Sequence, residues 1–276
     1  MAIAFLVIVI LVMGYAWLIM PRVSVKSDID KVTVDYAHRG LFSNEEGVPE
    51  NSLAAFKYAV MGEFGIELDV QLTADGEVVV FHDYDLKRMC GKDVKLSELT
   101  LKELREYTLI GTKYTIPTLK EVLKLVNGRV PLLVELKGES GNTAVCSATA
   151  EILDGYCGAY CVESFNPLLL RWFKKNRSKV VRGQLVTNLI KNKFAGNVLR
   201  NFALSALLTN FLSRPDFIAV DQKCLRDISV RICGGVFGSK IFVWTVTKRE
   251  HFDINRENGD YSIFEGFNPL DEPDSV

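Results

Sequence analysis

The chain opens on an unbroken apolar run. From Ala2 to Met20 no side chain carries a charge. At 1.5 Å per residue, about 19 helical residues cover about 28 Å, close to the hydrocarbon core of a bilayer. Tyr15 and Trp17 lie toward its end, where amphipathic rings favour a membrane interface, and Pro21-Arg22 stop it. A cleaved signal peptide calls for a basic start, a shorter apolar core and a small-x-small cleavage site. Here no Lys or Arg precedes the run, and Tyr15-Ala16-Trp17 is a poor cleavage match. The pattern predicts one transmembrane helix within residues 1–21, then a polar linker over 22–31. Arg22, Lys26 and Lys31 follow the run, so the positive-inside rule places the rest of the chain on the cytoplasmic side.

From residue 32 the pattern changes to short apolar runs alternating with amphipathic stretches. The runs predict strands near 32–37, 65–72, 77–82, 131–136, 160–165, 181–186, 217–221 and 241–246. Helical spacing falls between several of them. Leu53 to Met61 follows Asn51 or Ser52 as a cap, Leu99 to Tyr107 is a second stretch, and Leu119 to Val126 opens after Pro117-Thr118. This alternation predicts an α/β fold with a largely parallel sheet, a (β/α)8-type barrel over 32–276. One joint departs from a plain barrel. Only Thr73-Ala74-Asp75-Gly76 separates 65–72 from 77–82, too short for a parallel crossover, so a hairpin is expected. With Tyr261 to Phe264 as a closing strand there are nine candidates for eight positions, and the barrel should be distorted.

Residues 188–213 are long, apolar and mostly helical in pattern. They read either as a helix pair packed on the core or as an insertion beside the barrel mouth touching lipid or substrate. Lys191, Lys193 and Arg200 beside an apolar face would suit a membrane surface.

With 276 residues, 48% of them hydrophobic, the chain has material for one large core. Its net charge of −1 gives no footprint for nucleic acid. Cys157 and Cys161 are four apart with no second pair and no His nearby, which argues against zinc. A domain this size needs no disulfide framework, and the six cysteines read mainly as buried thiols.

Four short strings carry chemistry: His38-Arg39-Gly40, Glu67-Leu68-Asp69, His82-Asp83 and Glu135-Leu136-Lys137. Each lies at or just inside the C-terminal end of a predicted strand, the end where barrels place catalytic residues. Glu67 and Asp69, two apart on a strand, share a face. That face should be the barrel interior, with Ile66, Leu68 and Val70 on the other. Glu135 sits in an apolar run and should be buried too. Buried carboxylates without a partner are costly, and a hard divalent cation such as Mg²⁺ or Ca²⁺ removes the problem. The plainer alternative is a buried salt bridge from Glu135 to Lys137 or Arg39. His38 and His82, beside these carboxylates, could take and give protons near neutral pH. His251 lies in a charged helical stretch and is set aside. Arg39 and Lys137 could bind a phosphate.

These strings resemble the glycerophosphodiester phosphodiesterase family. The likeness runs through Ala37-His38-Arg39-Gly40, Pro49-Glu50-Asn51-Ser52, Phe56, Glu67-Leu68-Asp69-Val70, Thr73, Asp75-Gly76, Val80-Phe81-His82-Asp83, Leu86 and Arg88. It continues through Ile116-Pro117-Thr118-Leu119, Glu121-Val122-Leu123 and Glu135-Leu136-Lys137, with Ser164-Phe165 and Trp244-Thr245-Val246 as weaker landmarks. The resemblance implies a barrel with one divalent metal on Glu67, Asp69 and Glu135. It implies His38 and His82 as the acid/base pair, Arg39 and Lys137 on the phosphate, and Trp244 at the glycerol or the mouth, although Trp244 could equally be a core aromatic. The departure is C-terminal: the family's Thr-Asp pair is missing from Tyr261–Phe267, with no expected catalytic residue lost. The expected reaction is hydrolysis of a glycerophosphodiester to glycerol phosphate and an alcohol. Two alternatives stand beside it: phospholipase D-like cleavage of lysophospholipids or other membrane glycerophospholipids, and an inactive phosphate-binding barrel.

Overall fold

Nine strands form one sheet among the residues the computed structural model describes, which are 1–22, 28–138 and 142–271. They are β1 (Tyr36–Ala37), β2 (Gly65–Leu72), β3 (Val78–Val80), β4 (Leu132–Leu136), β5 (Tyr160–Ser164), β6 (Val181–Val186), β7 (Phe217–Asp221), β8 (Lys240–Val246) and β9 (Tyr261–Phe264). Eight of them pair in parallel, and β1 pairs with both β2 and β9, which closes the barrel. The ninth, β3, runs antiparallel to β2 and lies outside the ring. The short joint therefore makes the expected hairpin, and the surplus strand leaves the eight-stranded ring complete.

The helices are α1 (Ala2–Ile19), α2 (Leu53–Met61), α3 (Lys87–Cys90), α4 (Leu101–Leu104), α5 (Leu119–Val126), α6 (Ala144–Leu153), α7 (Pro167–Asn176), α8 (Val198–Ser205), α9 (Asn210–Ser213), α10 (Ile228–Gly235) and α11 (Arg249–Asn258). Ser52, not Asn51, caps α2 by accepting from Ala55 N. Thr118 and Glu121 form a reciprocal capping box that starts α5. The helix expected over 99–107 is only the single turn α4. Its capping box fixes the start at Thr100, and Arg105 is drawn away to Ile116 O and the Glu121 carboxylate. The strand expected over 32–37 is likewise short, because Ile29–Lys31 forms a 3-10 turn and Val32 is buried in the barrel core. The expected linker lies partly outside the described residues.

Two apolar layers follow from strand alternation. Ile66, Leu68, Val70, Leu132, Val134 and Leu136 face the helices. Tyr36, Leu133, Cys161, Phe217, Phe242 and Ile263 fill the ring interior with Val32. Gly183 makes this possible, since a Cβ there would lie 2.0 Å from the Phe217 ring. A small satellite core built on Val79, Phe81, Leu86, Met89, Leu96, Leu104, Leu109 and Ile116 supports the excursion between β2 and α5. All six cysteines are free; four are buried, Cys90 is half-buried and Cys157 exposed.

The stretch 188–213 divides in two. Leu207, Asn210 and Ser213 are buried, whereas every residue from Ile190 to Arg200 is exposed. Helix α1 is long and apolar enough to cross a membrane, and most of it is exposed. Its C-terminal end docks on the barrel wall. Trp17 stacks on Phe211 with ring centroids 5.4 Å apart, and Asn210 Nδ2 donates to Ile19 O at 3.0 Å. The Arg214 guanidinium donates to the Trp17 and Met20 carbonyls.

Candidate active site

The C-terminal ends of β1, β2 and β4 are neighbours in the ring, so residues far apart in sequence meet there. In β2–β4 pairing Asp69 stands opposite Glu135. Ligand oxygens of Glu67, Asp69 and Glu135 all lie within 4.8 Å of one another, and all three residues are buried. The predicted inward face is therefore the observed one.

Gly40 allows the turn that completes this cluster. With φ +82° and no room for a Cβ against Ala55 and Phe56, it packs the loop after β1 onto α2. Arg39 N then donates to Glu67 Oε2 at 2.8 Å. Asn51, also left-handed at φ 53°, donates from Nδ2 to Asp69 Oδ2 at 2.8 Å. Its Oδ1 is buried without a hydrogen-bond partner and so adds an orphan oxygen beside the carboxylates.

The electrostatics are those of a site built around positive charge. Burial, then the neighbouring Asp69, Glu135 and Glu163 carboxylates, push Glu67 well above its usual range. Burial also pushes Glu135 up to about 7, against the pull of Lys137. Burial opposes ionisation of Asp69 as well, but Lys137, His82 and Arg39 more than offset it and hold Asp69 low. Lys137 Nζ sits 3.0 Å from Asp69 Oδ1 and 2.8 Å from Glu135 Oε1. The salt bridge considered as the plainer reading of Glu135 is thus real, but one ammonium serves two of three carboxylates. Glu163, next to Glu135 across β4–β5, is buried, and burial raises it well above the usual range. Three clustered carboxylates with an orphan amide oxygen are a donor set that fits a hard divalent cation.

Both predicted histidines flank the cluster, and each has a carboxylate on Nδ1. His38 Nδ1 is 2.5 Å from Glu265 Oε2, and its Nε2 lies 3.9 Å from Glu67 Oε2. His82 Nδ1 is 2.7 Å from Asp83 Oδ1. Burial works against Glu265 and Asp83, yet hydrogen bonds from His38 and from Arg88 and His82 hold both below the usual carboxylate range. An ionised carboxylate only accepts, so Nδ1–H donates and Nε2 is left for proton transfer on each ring. Burial lowers the His82 pKa.

A charged chain ties the two histidine loops together. Arg39 donates to Glu50 Oε1 at 2.8 Å, and Arg88 grips both Glu50 oxygens and both Asp83 oxygens. Gln71 Nε2 holds the Phe81 and Asp83 carbonyls at 2.8 Å. Trp244 stands edge-on to Phe165 at 5.5 Å between centroids, with its Nε1 unpartnered. His251 lies on α11, on the outer layer.

Glu265 belongs to the site although none of the four strings contains it. The signal was present: the closing segment lacks Thr-Asp, yet Glu265 puts an acid directly after β9. Glu50 and Arg88 stand in the sequence only as landmarks, and Asp83 only as the neighbour of His82, without a role. We expect Glu265→Gln to lower kcat at least about tenfold with KM little changed, because a neutral amide still orients His38 but no longer balances its charge. Steady-state kinetics on a soluble diester would check this split.

The glycerophosphoryl diester phosphodiesterase family model matches residues 38–263. The chain belongs to this family. It is 30% identical over 234 residues to a glycerophosphodiester phosphodiesterase of Caldanaerobacter subterraneus subsp. tengcongensis, covering 80% of this chain and 88% of that one. It superposes with TM-score 0.64 on the glycerophosphodiester phosphodiesterase of Thermotoga maritima, at 30% identity over 84% of this chain and 94% of the other. A shorter likeness, 34% identical over 120 residues, joins it to a lysophospholipase D of Rattus norvegicus, covering 39% of this chain and 37% of that protein. The chain is therefore a phosphoric diester hydrolase acting on glycerophosphodiesters, and the family depends on a divalent metal. The inactive-barrel alternative falls away.

Proposed function

We propose that Glu67, Asp69 and Glu135 hold one divalent cation, Mg²⁺ or Ca²⁺, and that His38 and His82 exchange protons with the two oxygens on either side of the scissile phosphate. The observation that carries this is the meeting of three buried carboxylates within 4.8 Å, flanked by the two histidines. A cation bound there would neutralise the carboxylates and polarise a phosphoryl oxygen. Around it, one imidazole Nε2 takes the proton of the attacking hydroxyl, from water or from the adjacent glycerol carbon. A new P–O bond forms as the bond to the alcohol breaks, and the other imidazole protonates the departing alkoxide; where the glycerol hydroxyl attacks, the product is a cyclic phosphate, which water then opens to glycerol phosphate with the two proton transfers reversed. Arg39, fixed by Glu50, and Lys137 add positive charge for the phosphate oxygens. Trp244, half-buried near the C-terminal end of β8, would line the glycerol side of the mouth.

Helix α1 supports a single-pass N-terminal anchor ahead of a linker and the barrel, with the barrel on the cytoplasmic side where Arg22 and Lys31 follow the span. With that anchor, and with the partial likeness to a lysophospholipase D, we extend the substrate range to lysophospholipids. The full chain should release glycerol phosphate from glycerophosphocholine with Mg²⁺, Ca²⁺ or Mn²⁺ and lose that activity in chelator. Turnover in excess chelator would defeat the reading. A chain that hydrolyses soluble diesters but never lysophospholipid in vesicles would defeat its lipid extension.

A further inference from the structure

Helix α1 runs alongside α10 in the same direction. Ile19 O lies 3.5 Å from Cys233 Sγ, and one turn earlier Tyr15 lies against Ser229. At the other end, Arg22 N donates to Pro215 O, and its side chain pairs with Asp216, just before β7 begins. Ser229 is in the first turn of α10, which follows the C-terminal end of β7. Thus α1 descends the barrel wall from the catalytic end, and Ala2–Gly14 project beyond that end. Those 13 residues reach about 20 Å, roughly 10 Å short of a hydrocarbon core of about 30 Å. Tyr15 to Met20 and the catalytic rim must make up the difference.

The rim has a surface suited to that position. The connection leaving β6 folds back at the same end of the barrel: Asn192 Nδ2 donates to Thr187 Oγ1, and Leu189 N donates to Ser205 Oγ. Ile190, Phe194, Val198, Leu199 and Phe202 are 46–77% exposed on it. Lys191, Lys193 and Arg200 are exposed among them, and no acidic residue occurs from Thr187 to Ser213. Large exposed apolar side chains interspersed only with positive charge are the signature of an interfacial membrane contact. Ile228, one residue before the Ser229 that meets Tyr15, is 72% exposed as well.

We infer that residues 190–202 are a second membrane contact, seated in the headgroup layer of the bilayer that α1 enters, so that the catalytic mouth faces the lipid surface. The inference rests on α1 as the anchor. It gives that anchor a geometric consequence: the reacting phosphate of a glycerophospholipid would lie at the height of the site without leaving the membrane.

The test uses the full chain in vesicles of phosphatidylcholine and phosphatidylglycerol, with nitroxide labels at Leu11→Cys and Leu199→Cys in a Cys157→Ser background. The label at 11 should lie deep in hydrocarbon and the label at 199 at shallow depth, each favouring oxygen over a water-soluble nickel relaxant. Leu199→Asp/Phe202→Asp should slow hydrolysis of vesicle-borne lysophospholipid about tenfold while leaving glycerophosphocholine hydrolysis within about twofold. A deep label at 11 with an aqueous label at 199 overturns the inference and spares the anchor. An aqueous label at 11 sinks the anchor and the inference with it. A vesicle rate that falls no more than the soluble rate also contradicts the proposal, and the soluble rate shows that the variant is folded.

Discussion

Glu67→Gln and Glu135→Gln should each lower glycerophosphocholine hydrolysis at least about 10³-fold, the counterpart of losing roughly 4 kcal/mol of transition-state stabilisation. Both side chains are nearly isosteric with their replacements, so packing is kept and only the anionic ligand is removed. The fold should survive because neither side chain contributes to an apolar layer. Burial pushes Glu135 up to about 7, so without a cation it takes up a proton as pH falls through neutral, and Glu67, also raised by burial, holds its proton to higher pH than an ordinary carboxylate. A cation must displace those protons, and its apparent affinity should weaken with falling pH. Activity of either variant within tenfold of wild type, measured at saturating metal, would show that these carboxylates serve some other end.

The second large effect concerns proton transfer. His38→Ala and His82→Ala should each reduce kcat about 10²- to 10⁴-fold while leaving metal binding intact. The separation is possible because each ring stands beside the carboxylates and makes its hydrogen bond to an outer acid, Glu265 or Asp83. Because burial lowers the His82 pKa, its neutral form should persist to lower pH than an exposed imidazole allows. If His82 is the base, the acid limb of the kcat/KM profile lies below the ordinary histidine value and disappears in His82→Ala. Kinetics across pH, with metal stoichiometry measured on the same variants, would show whether proton transfer alone has been lost.

Much of this site was legible in the chain itself. Spacing by two put Glu67 and Asp69 on one face, and a four-residue joint demanded the hairpin that became β3. Strand alternation also separated Leu68 from its acidic neighbours, sending it to the helical layer. What stayed hidden depends on ring closure. Glu265 follows the last strand and reaches His38 from 227 positions away, a contact made only because β9 pairs with β1. The chain Arg39–Glu50–Arg88–Asp83 was similarly out of reach, because side-chain partners on three loops follow from loop path and not from periodicity. The distortion expected from nine strands is carried by β3, which leaves the ring itself closed on eight. Counting strands along the chain cannot tell a ring member from a strand that pairs on one side only. The 188–213 segment carried two readings because its composition suits both; the fold buries Leu207, Asn210 and Ser213 and leaves Ile190 to Arg200 exposed.

The proposed chemistry needs one cation shared by acids from two strands. Titration of the full chain with Mn²⁺, followed by the loss of the free-ion paramagnetic resonance signal, should show one tight ion per chain. Affinity should fall on the order of 100-fold in Glu67→Gln and in Glu135→Gln alike. Undiminished Mn²⁺ binding in either variant would contradict a shared site.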